Sequence, residues 1–290
     1  MNKTNNFGGS DVELKYSDYK KSKVVLLPCP YEGTVTYRRG CSKGPSAILE
    51  ASANMELFDD ELKKETYRIG ISTKKPLKLS SLSPEKVVTT IKKEVSKILE
   101  HKKMPIVLGG EHSVSIGAVW AVSELYKNVS ILHLDAHYDL RDKYEGSIYN
   151  HACAARRFLD YCPLVEAGVR SLSKKEEDFI NTKPPNLEIF DIYSILKNPD
   201  WKNAVLKSLN NDVYISIDMD VLDPSVMPSV GTPEPGGLSW YQLLDLLNVV
   251  SKNKRVTGFD VVELMPLKDV AAPDFLTSKL IYRLLGYIFS

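Results

Sequence analysis

Cysteine is sparse in this chain. The four present, Cys29, Cys41, Cys153 and Cys162, form no C-x-x-C pair, and four in 290 residues do not make a disulfide scaffold. A reducing, cytoplasmic setting is the expected location. No apolar run approaches the ~20 residues that span a bilayer, so no membrane segment is expected. The first residues, MNKTNNFGGSDVELKY, lack an apolar stretch of the kind that marks a secretory signal. There is no charge excess either. Lysine plus arginine total 38 and aspartate plus glutamate total 37, which removes the electrostatic case for a nucleic-acid or anionic-membrane partner. Internal repeats and low-complexity linkers are also missing.

What the sequence does hold is a recurring pattern of short apolar runs that stop abruptly at a loop. Val24–Leu27, Pro105–Leu108, Val129–Leu134, Val213–Ile217 and Val256–Val262 are the clear ones, with shorter runs near Leu164–Val169 and Leu187–Phe190. Continuous rather than alternating apolar runs belong to strands buried on both faces of a sheet. Helical patterns lie between them: from Ser83-Pro84-Glu85 through Ile98, from Ser113 to Leu125, from Ser239 to Val250, and from Asp274 to Ile288. Strand–helix alternation predicts an α/β fold with a mostly parallel sheet. We expect a single domain over residues 1–290, with 1–20 as an N-terminal extension.

The unusual residues follow the apolar runs. Gly109-Gly110-Glu111-His112-Ser113 comes after one, Asp135-Ala136-His137-Tyr138-Asp139 after another, Asp218-Met219-Asp220 after a third, and Glu263 closes a fourth. Ligands of open α/β sheets collect at these carboxyl ends. Extended chain points residues i, i+2 and i+4 to one side, so Asp135, His137 and Asp139 share a direction if the strand continues, as do Asp218 and Asp220. Six groups (His112, Asp135, His137, Asp139, Asp218 and Asp220) are thus candidates for one centre.

Four carboxylates crowded in a buried crevice repel one another and resist ionisation. Two divalent cations bring charge +4 against them, and six donors exceed what one tetrahedral site uses. Two imidazoles and four carboxylates with no thiolate suit Mn²⁺ better than a structural Zn²⁺. Two cations on one water also lower its pKa toward neutrality. A lone D-x-D, or a lone GGEHS, is weak, because acidic pairs at strand ends often cap loops. D-x-H-x-D is more specific, and the conjunction at successive strand ends carries the reading.

Other residues read less sharply alone. His151 is equally a satisfied loop histidine or a proton-transfer group. Glu263 is either a loop carboxylate or a partner for a planar cation. His133 points with Asp135 and is either a supporting group or an ordinary hydrogen-bonded core residue. Cys153 reads as small apolar packing and His101 as exposed. The Gly231–Gly237 stretch, rich in proline and glycine, reads as a wall of the site.

GGEHS, LDAHYD, SIDMDVLDP, GTPEPGGLSW and FDVVELMP, in that order, with Glu32–Arg38 and Gly44-Pro45 upstream, resemble the signature blocks of the arginase/agmatinase ureohydrolase family over roughly residues 24 to 289. The resemblance implies a three-layer αβα fold with an eight-stranded parallel sheet and a binuclear manganese site. Carried over by position, it implies one metal on His112, Asp135, Asp139 and Asp218 and the other on Asp135, His137, Asp218 and Asp220. It gives His151 a proton-transfer role, although Ala152 stands where many relatives have glycine. It makes Glu263 a substrate-orienting carboxylate. The expected reaction releases urea from a small guanidino compound, with agmatine as substrate and putrescine as co-product. Leu140–Gly146 and Pro233-Glu234-Pro235 look like the agmatinase pattern. The alternatives are another guanidino substrate such as guanidinobutyrate (with Arg141, Arg156 or Arg170 holding its carboxylate) or arginine, a deacetylase-like zinc amidohydrolase, or a non-catalytic metal-binding relative. By analogy with the family, the chain is expected to form a homo-oligomer, a trimer or hexamer.

Overall fold

In the computed structural model, residues 6–290 are described. Of the expected N-terminal extension, residues 1–5 lie outside the described residues. From Asn6 onward the segment folds onto its own chain: Phe7 is buried, and its backbone N–H donates to Thr73 Oγ1 at 3.0 Å.

The described residues wind through eight strands: β1 (Val24–Cys29), β2 (Ile71–Thr73), β3 (Met104–Gly109), β4 (Val129–Leu134), β5 (Leu164–Ala167), β6 (Leu187–Phe190), β7 (Asp212–Asp218) and β8 (Arg255–Val262). They form one sheet in the order β2-β1-β3-β8-β7-β4-β5-β6, and every pairing is parallel. The helices are α1 (Leu14–Ser17), α2 (Gly44–Ser52), α3 (Pro84–Glu100), α4 (Ser113–Leu125), α5 (Ala154–Phe158), α6 (Lys174–Ile180), α7 (Ile192–Lys197), α8 (Trp201–Ser208), α9 (Trp240–Asn253) and α10 (Ala272–Ile288).

Continuous apolar strands make two cores at once. On β1, Val24 and Leu26 enter a core shared with α2, α9 and α10, while Val25 and Leu27 enter a second core shared with α3 and α4. The same alternation holds on β7, where Ile215 faces the first core and Tyr214 the second. Helices on both faces and a sheet between them give the three-layer αβα architecture expected. Helix starts follow local chemistry. Ser239 caps α9 in a reciprocal box with Gln242, and α3 opens with Pro84, whose missing N–H costs nothing there.

Consecutive positions in the middle of the sheet belong to β3, β8, β7 and β4, strands far apart in sequence. Their carboxyl ends therefore deliver His112, Glu263, Asp218 and Asp135 side by side. Among the described residues, no helix is long and apolar enough to cross a membrane.

Candidate metal centre

Extended geometry explains less of the site than the sequence implied. β4 ends at Leu134, so Asp135, His137 and Asp139 lie beyond the strand. Asp139 is reached through a left-handed turn, with φ 48°. Asp220 sits in a 3-10 turn, Met219–Val221, rather than on an extended continuation of β7. Turns, not alternation, aim both carboxylates inward. Strain of this kind in a non-glycine residue persists only where the surroundings enforce it; Glu263, with φ 62°, shares it.

The six expected residues nonetheless converge. His112 Nδ1 lies 3.0 Å from Asp135 Oδ2, 3.2 Å from Asp218 Oδ2 and 3.5 Å from Asp139 Oδ2. His137 Nδ1 lies 2.9 Å from Asp220 Oδ2 and 3.5 Å from Asp135 Oδ1. Donor atoms about 2.1 Å from a common ion, at right angles, stand roughly 3 Å apart, so these spacings fit coordination as well as they fit ion pairing. A second observation favours cations. His112 Nδ1 and Asp135 Oδ2 are buried without a hydrogen-bond partner, which is costly unless something else satisfies them. The donor set, oxygen-rich with two imidazoles, fits a pair of divalent ions.

Electrostatics describe the same crowding. Burial and the charge of Asp135 push the Asp139 carboxyl well above its ordinary range, and burial and Asp220 do the same to Asp218. Burial would raise Asp135 too, but contacts from His112, His133 and His137 outweigh it and hold it well below the usual value. Burial opposes protonation of His112, yet the close approach and charge of Asp135 prevail and lift it to about 9. Without cations, the cluster can balance its charge only by taking up protons.

Support from behind the cluster was foreseen only at His133. His112 Nε2 lies 2.9 Å from Ser216 Oγ, which donates to Asp260 Oδ1 at 2.8 Å. Ser216 therefore accepts from Nε2–H, so Nδ1 is the ring nitrogen that offers a lone pair to a cation once its own proton is displaced. His133 is not an ordinary core histidine: its Nε2 stands 3.0 Å from Asp135 Oδ2, and its Nδ1 3.5 Å from the fully buried Glu166. Asp260 in β8 and Glu166 in β5 are charged residues inside apolar strands, and that anomaly was the available sequence signal.

Above the cluster lies a cavity of about 260 Å³, lined by Tyr37, Arg38, Arg141, Tyr144, His151, Glu176, Thr232 and Glu263 together with several of the cluster residues. Glu263 Oε1 accepts the His112 backbone N–H at 2.7 Å, which anchors it and leaves Oε2 for a partner in the cavity. Burial, then the neighbouring Glu111, push its pKa up to about 8. His151 is held at Thr34, with Nδ1 3.1 Å from Thr34 Oγ1, and burial followed by the charges of His137 and His112 lowers it to about 4.

Gly231 and Thr232 line the cavity, so the start of the Gly231–Gly237 stretch forms part of its wall, and Pro233–Gly237 lie outside the lining. Arg170 is not available to a substrate: its guanidinium donates to the carbonyls of Gly168, Asp220 and Glu234 and ties that stretch to the Asp220 turn. Arg156 lies over the Phe179 ring, 3.6 Å from its centroid. Of the three arginines named as carboxylate binders, Arg141 alone lines the cavity, its guanidinium 4.3 Å from the Tyr144 ring centre. Cys153 is buried, and His101 is exposed, with Nδ1 2.8 Å from the Tyr19 hydroxyl.

A doubly covered parallel sheet whose central strands end in clustered carboxylates and imidazoles, open to a cavity, defines an α/β enzyme built around that cluster. Comparison with known proteins sharpens the class. The model described as Arginase family matches residues 22–286. A protein of Synechocystis sp. named N(1)-aminopropylagmatine ureohydrolase is 38% identical, over 93% of this chain and 90% of that protein. A Bacillus cereus agmatinase is 33% identical, over 95% of this chain and 97% of its own. The crystal structure of agmatine ureohydrolase of Thermoplasma volcanium superposes with a TM-score of 0.86 at 33% identity, over 97% of this chain and 96% of that one. The chain belongs to the arginase family of ureohydrolases.

Proposed function

We propose that the chain works as one catalytic unit that releases urea from a guanidino compound, and that the compound is agmatine, with putrescine as co-product. The observation that carries this reading is Glu263, a carboxylate at the cavity wall, anchored by the His112 N–H and set directly beside the metal-ligand cluster. A planar carboxyl group there matches a planar guanidinium, whose positive charge favours the ionised carboxylate.

The proposed ligands are His112, Asp135, Asp139 and Asp218 for one Mn²⁺, and Asp135, His137, Asp218 and Asp220 for the other, with Asp135 and Asp218 shared. When bound, the two ions neutralise the carboxylates and make hydroxide available at neutral pH. Glu263 orients the guanidinium so that its central carbon faces the cluster. Asp139 accepts a hydrogen bond from the attacking oxygen. His151 rests neutral, takes up a proton during the attack and returns it to the departing amine.

The tail of the substrate has a second reading. The 38%-identical relative is named for N(1)-aminopropylagmatine, a longer cation than agmatine. A homo-oligomer, trimer or hexamer, and a cytoplasmic location complete the proposal by family analogy.

The test is urea release by the manganese-loaded protein from agmatine, N(1)-aminopropylagmatine, arginine and guanidinobutyrate. Agmatine is expected to give the highest kcat/KM. A higher value for aminopropylagmatine moves the assignment to the longer substrate. A preference for guanidinobutyrate gives Arg141 the carboxylate-binding role. No urea from any of the four removes the proposed function.

A further inference from the structure

Thr34 and Glu111 belong to motifs that the proposed chemistry leaves unused. Glu111 follows β3 and is fully buried. Its backbone N–H donates to the Tyr31 carbonyl at 2.9 Å, joining the ends of β1 and β3. That approach requires Gly110, because a Cβ there would stand 2.0 Å from the Tyr31 oxygen. Three donors converge on the Glu111 carboxylate: Thr34 N–H at 2.7 Å, Thr34 Oγ1 at 2.7 Å and Ser113 Oγ at 2.5 Å. Thr34 Oγ1 also meets two nitrogens of His151, the backbone N–H at 3.1 Å and Nδ1 at 3.1 Å.

A threonine hydroxyl has one proton and two lone pairs. Its proton goes to Glu111, and one lone pair accepts the His151 backbone N–H. The remaining lone pair can satisfy Nδ1 only if Nδ1 carries the ring proton. Nε2 is then the unprotonated nitrogen. We infer that Glu111 and Thr34 are positioning residues: their relay fixes His151 in the Nδ1–H tautomer, so that Nε2 alone exchanges protons with the substrate. The inference rests on the proton-transfer role proposed for His151.

The test is a double-mutant cycle on the manganese-loaded enzyme, with kcat and KM read separately. His151→Asn is expected to lower kcat by about 100-fold or more. Thr34→Val is expected to lower kcat by roughly tenfold, the worth of one lost orienting hydrogen bond, with little change in KM. Thr34→Ser, which keeps the hydroxyl, is expected to restore most of the activity. In the His151→Asn background, Thr34→Val is expected to have no further effect.

Manganese content and thermal midpoint are measured on every variant. If Thr34→Val loses either, Glu111→Gln carries the same test. Its amide NH₂ would donate to Thr34 Oγ1, turn the hydroxyl proton toward Nδ1 and force the opposite tautomer, again with a selective loss of kcat. Full kcat in the variant tested, or an equal loss with and without His151, overturns the relay while leaving the role of His151 standing. Full kcat in His151→Asn overturns both.

Discussion

The candidate ligands fall into an inner and an outer set, and the two differ in how they are held. The inner set gathers on His112, whose side chain is 1% exposed; the outer set gathers on His137, whose side chain is 25% exposed and meets the cavity. Behind His112 stand Ser216 and Asp260, which fix its orientation from the sheet interior. His137 is held instead by its loop: it pairs with Ser171 in an isolated parallel bridge, and its N–H donates to Asp135 Oδ1 at 2.6 Å. A donor set packed into a sheet is preorganised, whereas one on a loop can adjust. The inner position is accordingly expected to bind its ion more tightly and to surrender it last to a chelator.

The largest way to break this contrast is to remove what the sets share. Asp135→Asn is expected to empty both positions and to lower urea release by more than the roughly 10–100-fold that outer supporting groups cost. Metal content after gel filtration, together with turnover, checks it. Next come the single imidazoles. His137→Ala is expected to leave one ion per chain, whereas His112→Ala is expected to weaken both positions, because Asp135 and Asp218 lose their common neighbour. Equal metal loss in the two variants would erase the distinction. Ser216→Ala leaves every ligand in place and is expected to lower affinity at the inner position by roughly tenfold or more, with the outer one little changed. A manganese titration resolving two binding steps reads this directly.

The smallest effect is on pH dependence. His112 in the metal-free chain is lifted to about 9 from an ordinary 6.5. The proton it holds stabilises the fold fully below the unfolded value, and that contribution is lost as pH rises from 6.5 through about 9. Metal must displace the same proton, so affinity is expected to rise over the same window. Thermal midpoints of the metal-free protein and manganese affinities, taken across those pH values, are expected to move in opposite directions.

The contrast also shows what was legible in the sequence. The five clear apolar runs are β1, β3, β4, β7 and β8, and the residues after the last four form the cluster and the Glu263 wall. Length and hydrophobic continuity sufficed there. β2, with three residues, and short helices such as α5 and α7 were missed because so few residues display no period. Within the site, residue types were legible but directions were not: Asp139 and Asp220 arrive through turns that a spacing rule for extended chain cannot see. The supporting contacts, His133 with Glu166 and Ser216 with Asp260, depend on register. His133 pairs with Glu166 between β4 and β5, and Ser216 with Asp260 between β7 and β8. Nothing local in either sequence segment encodes its partner.

The most direct measurement is a crystal structure of the manganese-soaked protein with anomalous scattering recorded at the metal edge. Two peaks about 3.5–4 Å apart are expected, one against His112 and one against His137, with Asp135 and Asp218 touching both. A single peak, or peaks that leave either imidazole without a metal, would contradict the two-ion centre.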